Sequence, residues 1–332
     1  MSSGPVAAAV APRSLSGFGS SLGWRWAKRA LSAVFLGLVA WLLIHQARSI
    51  DWNAVWTSIR NHPLRGLLVA GTLALSSHLL YSCFDLLGRH HTGHRLPKPM
   101  VMLTTFVSYA FNLNLGSLIG GIAFRFRLYS RMGLHTATTS QVLGISMLSN
   151  WLGYLLLAGL LFSLRPLALA ADWPIGSVGL RLAGVALLCV ALGYLGLCAF
   201  STRRDWKVHG HSLQLPSFRF ALLQLGMASL NWSLMGGVVY VLLQQRVDYA
   251  TVLGVLLVAA FAGVVIHVPA GLGVLEGVFV ALLSGKVPAS ELLAALLVYR
   301  GMYYLAPLGI ATLLYLLLEA RTRQAVTQAA TS

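Results

Sequence analysis

Residues 264–283 read VVIHVPAGLGVLEGVFVALL. An apolar run of this length is long enough to cross a bilayer. It is broken, however, by Pro269, Gly271, Gly273 and Gly277, and it carries one carboxylate, Glu276. Proline removes a backbone donor, and closely spaced glycines weaken a helix. Non-helical backbone at membrane depth persists only where protein buries it or it lines a cavity. A carboxylate there costs roughly 2.5 to 3.5 kcal/mol on insertion scales. Interrupted backbone and a charge in one place mark a site. The competing reading is a proline kink with Glu276 held in a structural ion pair.

Outward from this stretch the whole chain is apolar. Of 332 residues 57% are hydrophobic and only 10% charged, and the mean hydropathy is +0.76. This composition predicts an all-α polytopic membrane protein, with room for roughly six to nine spans. The net charge of +16 reflects basic residues beside apolar segments, as the positive-inside bias and attraction to anionic lipid both require. No basic stripe interleaved with aromatics is present, which argues against nucleic acid as a partner. Cys83, Cys189 and Cys198 lie in apolar segments and read as small buried hydrophobes. The histidines lack ligand spacing, and His90, His91 and His94 fall in a basic loop. No metal and no cofactor is expected.

Residues 1–23, rich in Ser, Gly, Ala and Pro, are expected to be disordered. Arg25, Lys28 and Arg29 precede a first span near 30–47 and place the N-terminus in the cytoplasm. A polar loop with Asp51, Trp52 and Trp56 leads to a span near 64–87, which carries Asp85 close to its end. A basic loop follows, from Arg89 to Lys98. Residues 100–132 begin apolar, then meet Asn112, Asn114, Gly116, Gly120 and Gly121, and after these Arg125, Arg127 and Arg131. That order predicts a broken or re-entrant hairpin. The segments 138–163, 178–200 and 219–243 read as plain spans. The second interrupted region, 250–285, comes next. A last apolar region, 290–318, holds Arg300, Tyr303, Tyr304 and Pro307, and Glu319, Arg321 and Arg323 close it on the cytoplasmic side.

Counting sides gives the architecture. The basic loops at 88–99 and 201–218 belong in the cytoplasm, and the nearly neutral loop at 164–178 outside. Both interrupted regions must then leave on the side they enter. The expectation is six full spans plus two broken hairpins, about eight transmembrane segments. They form one transmembrane domain over 24–320, with halves 30–163 and 178–318 related as an inverted-topology repeat and a cytoplasmic tail at 321–332. Arg48, Arg60 and Arg65 in the loop near 48–65 run against this count.

Paired broken hairpins in matching positions point to a transporter's substrate site. Their half-helix N-termini offer unpaired N–H groups and partial positive charge, which suit an anion such as a lipid phosphate. The candidate residues are Glu276, Arg300, Arg125, Asp85, Asn112, Asn114, Tyr303 and Tyr304. Gly116, Gly120, Gly121, Pro269, Gly271 and Gly273 form the breaks. Arg300 lies deep in an apolar helix and needs a partner, with Glu276 the first choice; Arg125 with Asp85 is the second. Tyr303 and Tyr304 share the helix face of Arg300 and could bond a headgroup or fill an interhelical interface. Asn112 and Asn114 could donate to phosphate or satisfy broken backbone. Arg127 and Arg131 read as residues that snorkel to the interface. No nucleophile with a base and no metal cluster is found, so an enzyme is not expected.

Three stretches carry a resemblance: AFNLNLGSLIGGIAFRFRLYSRMGL (110–134), HVPAGLGVLEGVF (267–279) and YRGMYYLAPL (299–308). They resemble the membrane region of lysylphosphatidylglycerol synthases, the MprF-type flippase half, and especially its stand-alone YbhN-type bacterial inner-membrane relatives. The likeness covers most of residues 30–320. It implies a polytopic inner-membrane protein and, for the larger members, flipping of aminoacylated phospholipid. Many members carry a proline and an acid in the first motif; this chain has neither. No soluble aminoacyl transfer domain follows the membrane region in this sequence, so lysyl-lipid synthesis is not expected. The functions in view are a lipid flippase moving an anionic phospholipid or lipid-linked headgroup, and a non-transporting membrane partner or regulator of envelope homeostasis. The expected partners are membrane lipids and, for the second function, other inner-membrane proteins.

Overall fold

A computed structural model gives the fold. It describes residues 52–165, 167, 176–202, 205–208, 211–266 and 271–331, together with Val34, Gly37, Trp41 and Ile44, which are helical. Residues 1–51 form a unit of their own, and residues 52–332 form the second. The expected disorder at 1–23, most of the first span and Pro269 lie outside the described residues.

Where a polar loop was expected there is a short helix, α1 (Trp52–Asn61). It carries exposed Trp56 with the Arg60 guanidinium 5.9 Å from the ring centroid, a pairing suited to a membrane interface. α2 (Leu64–Ser82) passes through Cys83 into α3 (Phe84–Thr92), a 29-residue apolar rod in all. Gly93, at φ 68°, ends it in the left-handed conformation that closes many helices. The first interrupted region then folds as a hairpin. α4 (Lys98–Leu115) rises, the chain reverses at Gly116, and a π-helical segment (Ser117–Ala123) leads into α5 (Phe124–Arg131).

Gly116 has φ 83°, a conformation favouring glycine. Gly120 lies so close to the rising arm that a Cβ there would come within 2.1 Å of the Asn112 nitrogen. Phe111 stacks on Phe124, with centroids 4.1 Å apart, and zips the arms further along.

Next come α6 (Thr136–Leu164) and α7 (Ser177–Phe200). A small antiparallel β-hairpin, β1 (Asp205–Val208) with β2 (His211–Gln214), sits in what reads from the sequence as a simple basic loop. α8 (Phe218–Leu242) leads to the second interrupted region, where α9 (Tyr249–Ile266) and α10 (Val274–Leu283) pack against each other. α11 (Ala289–Tyr299), a π-helical segment (Arg300–Leu305) and α12 (Ala306–Thr331) complete the chain. Pro307 has no N–H to donate to the preceding turn, a reason for the wider turn before it.

Apart from β1 and β2 the described elements are helical. Six of the described helices are long and apolar enough to cross a membrane: Leu64–Thr92, Thr136–Leu164, Ser177–Phe200, Phe218–Leu242, Tyr249–Ile266 and Ala289–Glu319. The fifth was expected as one arm of a broken hairpin. At 18 residues it reaches about 27 Å, close to a full hydrocarbon thickness.

α6 fixes how the hairpins lie. Val101 and Tyr129, from the open end of the first hairpin, cluster with Val142 near the start of α6. At the other end of α6, Arg165 shares a pocket with Asp248, Thr251, Leu282 and Lys286, from the open end of the second. Val142 and Arg165 are about 35 Å apart at 1.5 Å per helical residue. The two hairpins therefore approach from opposite ends of one helix, and their tips are directed toward its middle.

Candidate functional site

The tips meet at a cavity of about 500 Å³. The first hairpin contributes Asn112, Leu115, Gly116, Ser117, Leu118 and Ile119. The second contributes Leu256, Ala260, Val264, Gly271 and Leu275. Asn150 from the middle of α6, Trp232 from α8, Tyr81, Tyr109 and Tyr304 close the sides. None of the described lining residues is charged. Among the described residues the side-chain amides of Asn112 and Asn150 have no hydrogen-bond partner, so each brings an unused donor and acceptor.

The two helix starts at the cavity differ. The helix beginning at Ser117 has no side-chain cap. The start of α10 is capped: Glu276 Oε2 accepts from the Gly273 N–H at 3.0 Å. An uncapped start leaves N–H groups and partial positive charge unanswered by the protein.

Arg300 is paired with Glu276. Its Nε donates to Glu276 Oε1 and its Nη2 to Glu276 Oε2 at 3.0 Å, a bidentate contact. Nη2 also donates to the Gly271 carbonyl at 2.9 Å, and the guanidinium lies 5.5 Å from the Tyr304 ring centroid. Gly271 and Tyr304 line the cavity; Arg300 and Glu276 stand one layer behind them. Arg300 thus ties the second tip to the π-helical segment. The sequence could not say whether this pair faced an open site, and the geometry puts it in the wall.

Arg125, read from the sequence both as a candidate ligand contact and as a partner for Asp85, is paired with Asp85. It is 3% exposed and Asp85 fully buried. Arg125 Nε donates to Asp85 Oδ2 at 3.0 Å, Nη1 to the Gly121 carbonyl at 3.2 Å and Nη2 to Ser146 Oγ at 3.4 Å. Tyr129 donates to the same Asp85 oxygen at 2.8 Å. This cluster fastens the returning arm to α3 and α6, apart from the cavity. Arg127 Nε donates to Tyr315 OH at 2.7 Å, and Arg131 forms a bidentate contact with Glu319. Both are tied to α12. The charges at the two hairpins therefore lie in separate pairs and do not converge on one point.

Asn114 satisfies interrupted backbone. Its Nδ2 donates to Ala110 O at 2.8 Å and to Tyr304 O at 3.1 Å, joining the first tip to the π-helical segment. Tyr303 is buried in a polar chain. Its hydroxyl bonds Ser77 Oγ at 2.6 Å and Tyr109 OH at 3.1 Å, and Ser77 donates to Asn231 Oδ1 at 2.8 Å. The sequence reading passed over Tyr81, Tyr109, Asn150, Trp232, Ser77 and Asn231. Asn150 could have been found, since an amide inside an otherwise apolar run was part of the signal that, with Asn114 and the glycines, singled out Asn112. Among the described residues no group of three or more His, Cys, Asp and Glu could hold a metal ion, and the three cysteines are free thiols.

Paired hairpins facing a cavity inside a body of long apolar helices define the class as a multi-pass membrane protein. Comparison with known sequences agrees with that class. The model of the lysylphosphatidylglycerol synthase TM region matches residues 26–311. The inner membrane protein YbhN of Escherichia coli (strain K12) is 45% identical over 302 residues, covering 91% of this chain and 95% of the relative. An uncharacterized protein of Synechocystis is 30% identical over 290 residues, covering 86% and 90% of the two chains. A phosphatidylglycerol lysyltransferase of Staphylococcus haemolyticus is 27% identical over 300 residues, covering 85% of this chain but 33% of that protein. The chain belongs to the lysylphosphatidylglycerol synthase TM-region family.

Proposed function

We propose that this protein moves a lipid with an anionic headgroup, a phospholipid or a lipid-linked phosphate, between the leaflets of a bacterial inner membrane. The observation that carries this reading is the cavity bounded by both hairpin tips, with two unpartnered amides and an uncapped helix start on its wall. A phosphate is suited to such a helix start, where backbone N–H groups and the helix dipole act together. Asn112 and Asn150 would donate to the same headgroup. Arg300, paired with Glu276, stands behind the wall and holds its shape, while the neutral lining lets a headgroup leave again.

In this reading the hairpins are re-entrant, one from each membrane face. The chain has about eight membrane segments in an inverted repeat, with both termini cytoplasmic. Family membership and the name of the Escherichia coli relative support the inner-membrane placement. The protein acts as a carrier rather than an enzyme, and its partners are membrane lipids. The test is transbilayer movement of labelled lipids in reconstituted vesicles. Movement faster than in protein-free vesicles, and slowed by Asn112→Leu and Asn150→Leu, is expected. Rates equal to the control across several headgroups, with and without a proton gradient, would refute it.

A second reading makes the protein a non-transporting partner in lipid or envelope homeostasis. The engagement of Arg125 with Asp85 and of Arg300 with Glu276 in pairs favours it. It expects Asn112→Leu and Asn150→Leu to leave cellular function intact, while changes on a lipid-facing helix surface abolish partner binding.

A further inference from the structure

A second hollow, about 530 Å³, opens on the outer side of α2, α4 and the α12 start. Gly71, Leu75, Leu79, Met102, Leu103, Phe106, Met302 and Ile310 make it almost wholly apolar, and His78 and Ser82 are its polar members. Its rim is continuous with lipid-facing surface, since Leu75, Leu79 and Ile310 are all more than half exposed. In a membrane these side chains meet hydrocarbon.

One layer of side chains divides this groove from the central cavity. His78 lines the groove, Tyr109 lines the cavity, and their rings are 5.4 Å apart. Tyr303 backs both, 4.6 Å from His78 and hydrogen-bonded to Tyr109. The layer sits halfway along the rod Leu64–Thr92, about 20 Å from either end.

One group in it is unsatisfied. His78 is 3% exposed, and its Nδ1 lies 3.0 Å from the Ala74 carbonyl. A carbonyl only accepts, so Nδ1 carries the hydrogen and Nε2 is an acceptor; Nε2 is buried with no partner. A buried unpaired acceptor costs about 1 to 3 kcal/mol. The penalty is relieved when a donor group passes.

We infer that the groove seats an acyl chain of the lipid whose headgroup occupies the central cavity, and that the His78–Tyr109 layer is the lateral portal between them. This rests on the lipid-moving reading above. The occupant is a membrane lipid because the groove offers apolar surface open to hydrocarbon and one acceptor at mid-depth. A lipid bearing a hydroxyl or ammonium donor satisfies Nε2 as it crosses. The portal opens by rotation of the Tyr109 and His78 side chains, which leaves the Arg300–Glu276 and Arg125–Asp85 pairs in place.

Photo-crosslinking in vesicles of the full chain tests this. One probe is a phospholipid with a diazirine in its acyl chain; the other carries the diazirine in its headgroup. The acyl probe should label Met102, Leu103, Phe106 and Met302 several-fold more than Leu192 and Leu197, which are exposed on α7 away from the groove. The headgroup probe should label Tyr109 and Asn112. Leu103→Trp, which fills the groove, should cut acyl labelling and transbilayer movement together, while Leu197→Trp changes neither. His78→Phe, which keeps the ring packing but removes the acceptor, should slow movement and leave acyl labelling unchanged. Equal acyl labelling of α7 and groove positions overturns the inference. So does undiminished movement in Leu103→Trp. Groove labelling without movement in any vesicle would instead refute lipid transport and leave the lipid seat standing.

Discussion

Replacing Glu276 by Gln tests whether the second tip is held by the Arg300 pair. In the native protein two charge-assisted hydrogen bonds join the side chains, and they are 9% and 18% exposed. Removing one partner of a buried pair costs about 3 to 5 kcal/mol, because the other charge is stranded. Gln keeps an amide oxygen for Arg300, and the Arg300 bond to Gly271 O persists. The loss is therefore placed at the low end, about 3 kcal/mol. Arg300→Gln should cost as much or more, since it also leaves the Gly271 carbonyl without its donor. The double variant, with two neutral amides facing each other, should fall short of the sum by about 1 to 3 kcal/mol. The assay is reversible unfolding in mixed micelles run as a double-mutant cycle, with hydrogen exchange over 271–283 as the local readout. If the single variants each change stability by less than about 0.5 kcal/mol, or their effects simply add, the pair does not hold the tip.

Further tests address the other supports. Asp85→Asn strands Arg125 in a fully buried place and weakens the Tyr129 bond, so a loss of about 3 to 5 kcal/mol is expected in the same unfolding assay. Gly120→Ala drives a methyl into the Phe111–Asn112 backbone and should cost at least about 1 to 3 kcal/mol. Gly121→Ala meets the Asn112 side chain at 2.9 Å, which can swing aside; size-exclusion profiles should show it better folded than Gly120→Ala. Outside the spans, Asp248 caps α9: its carboxylate accepts from the Thr251 hydroxyl and N–H, at 2.6 and 2.9 Å. The Thr251 hydroxyl holds this carboxyl below the usual range against the opposing effect of burial, helped by the Thr251 N–H, Lys286 and Arg165. Its stabilisation is present above the unfolded value near pH 4 and is lost as pH falls through the lowered folded value. Asp248→Ala should cost about 0.5 to 2 kcal/mol at neutral pH, and the difference from the native protein should vanish in melts at strongly acidic pH.

The interruptions were legible in the sequence because glycine and proline inside apolar runs have few other uses. Gly116, Gly120 and Gly121 marked the first turn, and Gly271 and Gly273 the second. The need of Arg300 and Arg125 for partners followed from the cost of a lone charge, and the structure pairs them with Glu276 and Asp85. What charge counting could not show was where those pairs face. A paired arginine and a ligand-binding arginine have the same sequence signature, and only the positions of Gly271 and Tyr304 show that Arg300 stands behind the cavity wall. Asn150 and Trp232 were missed because each lies on an ordinary-looking span, and Tyr109 because it lies on the apolar rise before the first break. Their importance comes from the tips they meet, which is a long-range property. The π-helical segment at Arg300 was equally hidden, because Pro307 alone does not say how the preceding turn will accommodate it.

The contact of Arg127 and Arg131 with Tyr315 and Glu319 has a practical consequence. It couples the descending arm of the first hairpin to the stretch where reporter proteins and purification tags are usually attached. A fusion joined within a turn of Glu319 pulls on that arm directly, and a silent phenotype from such a hybrid says little about the native molecule. A spacer placed beyond residue 331 leaves the clasp untouched.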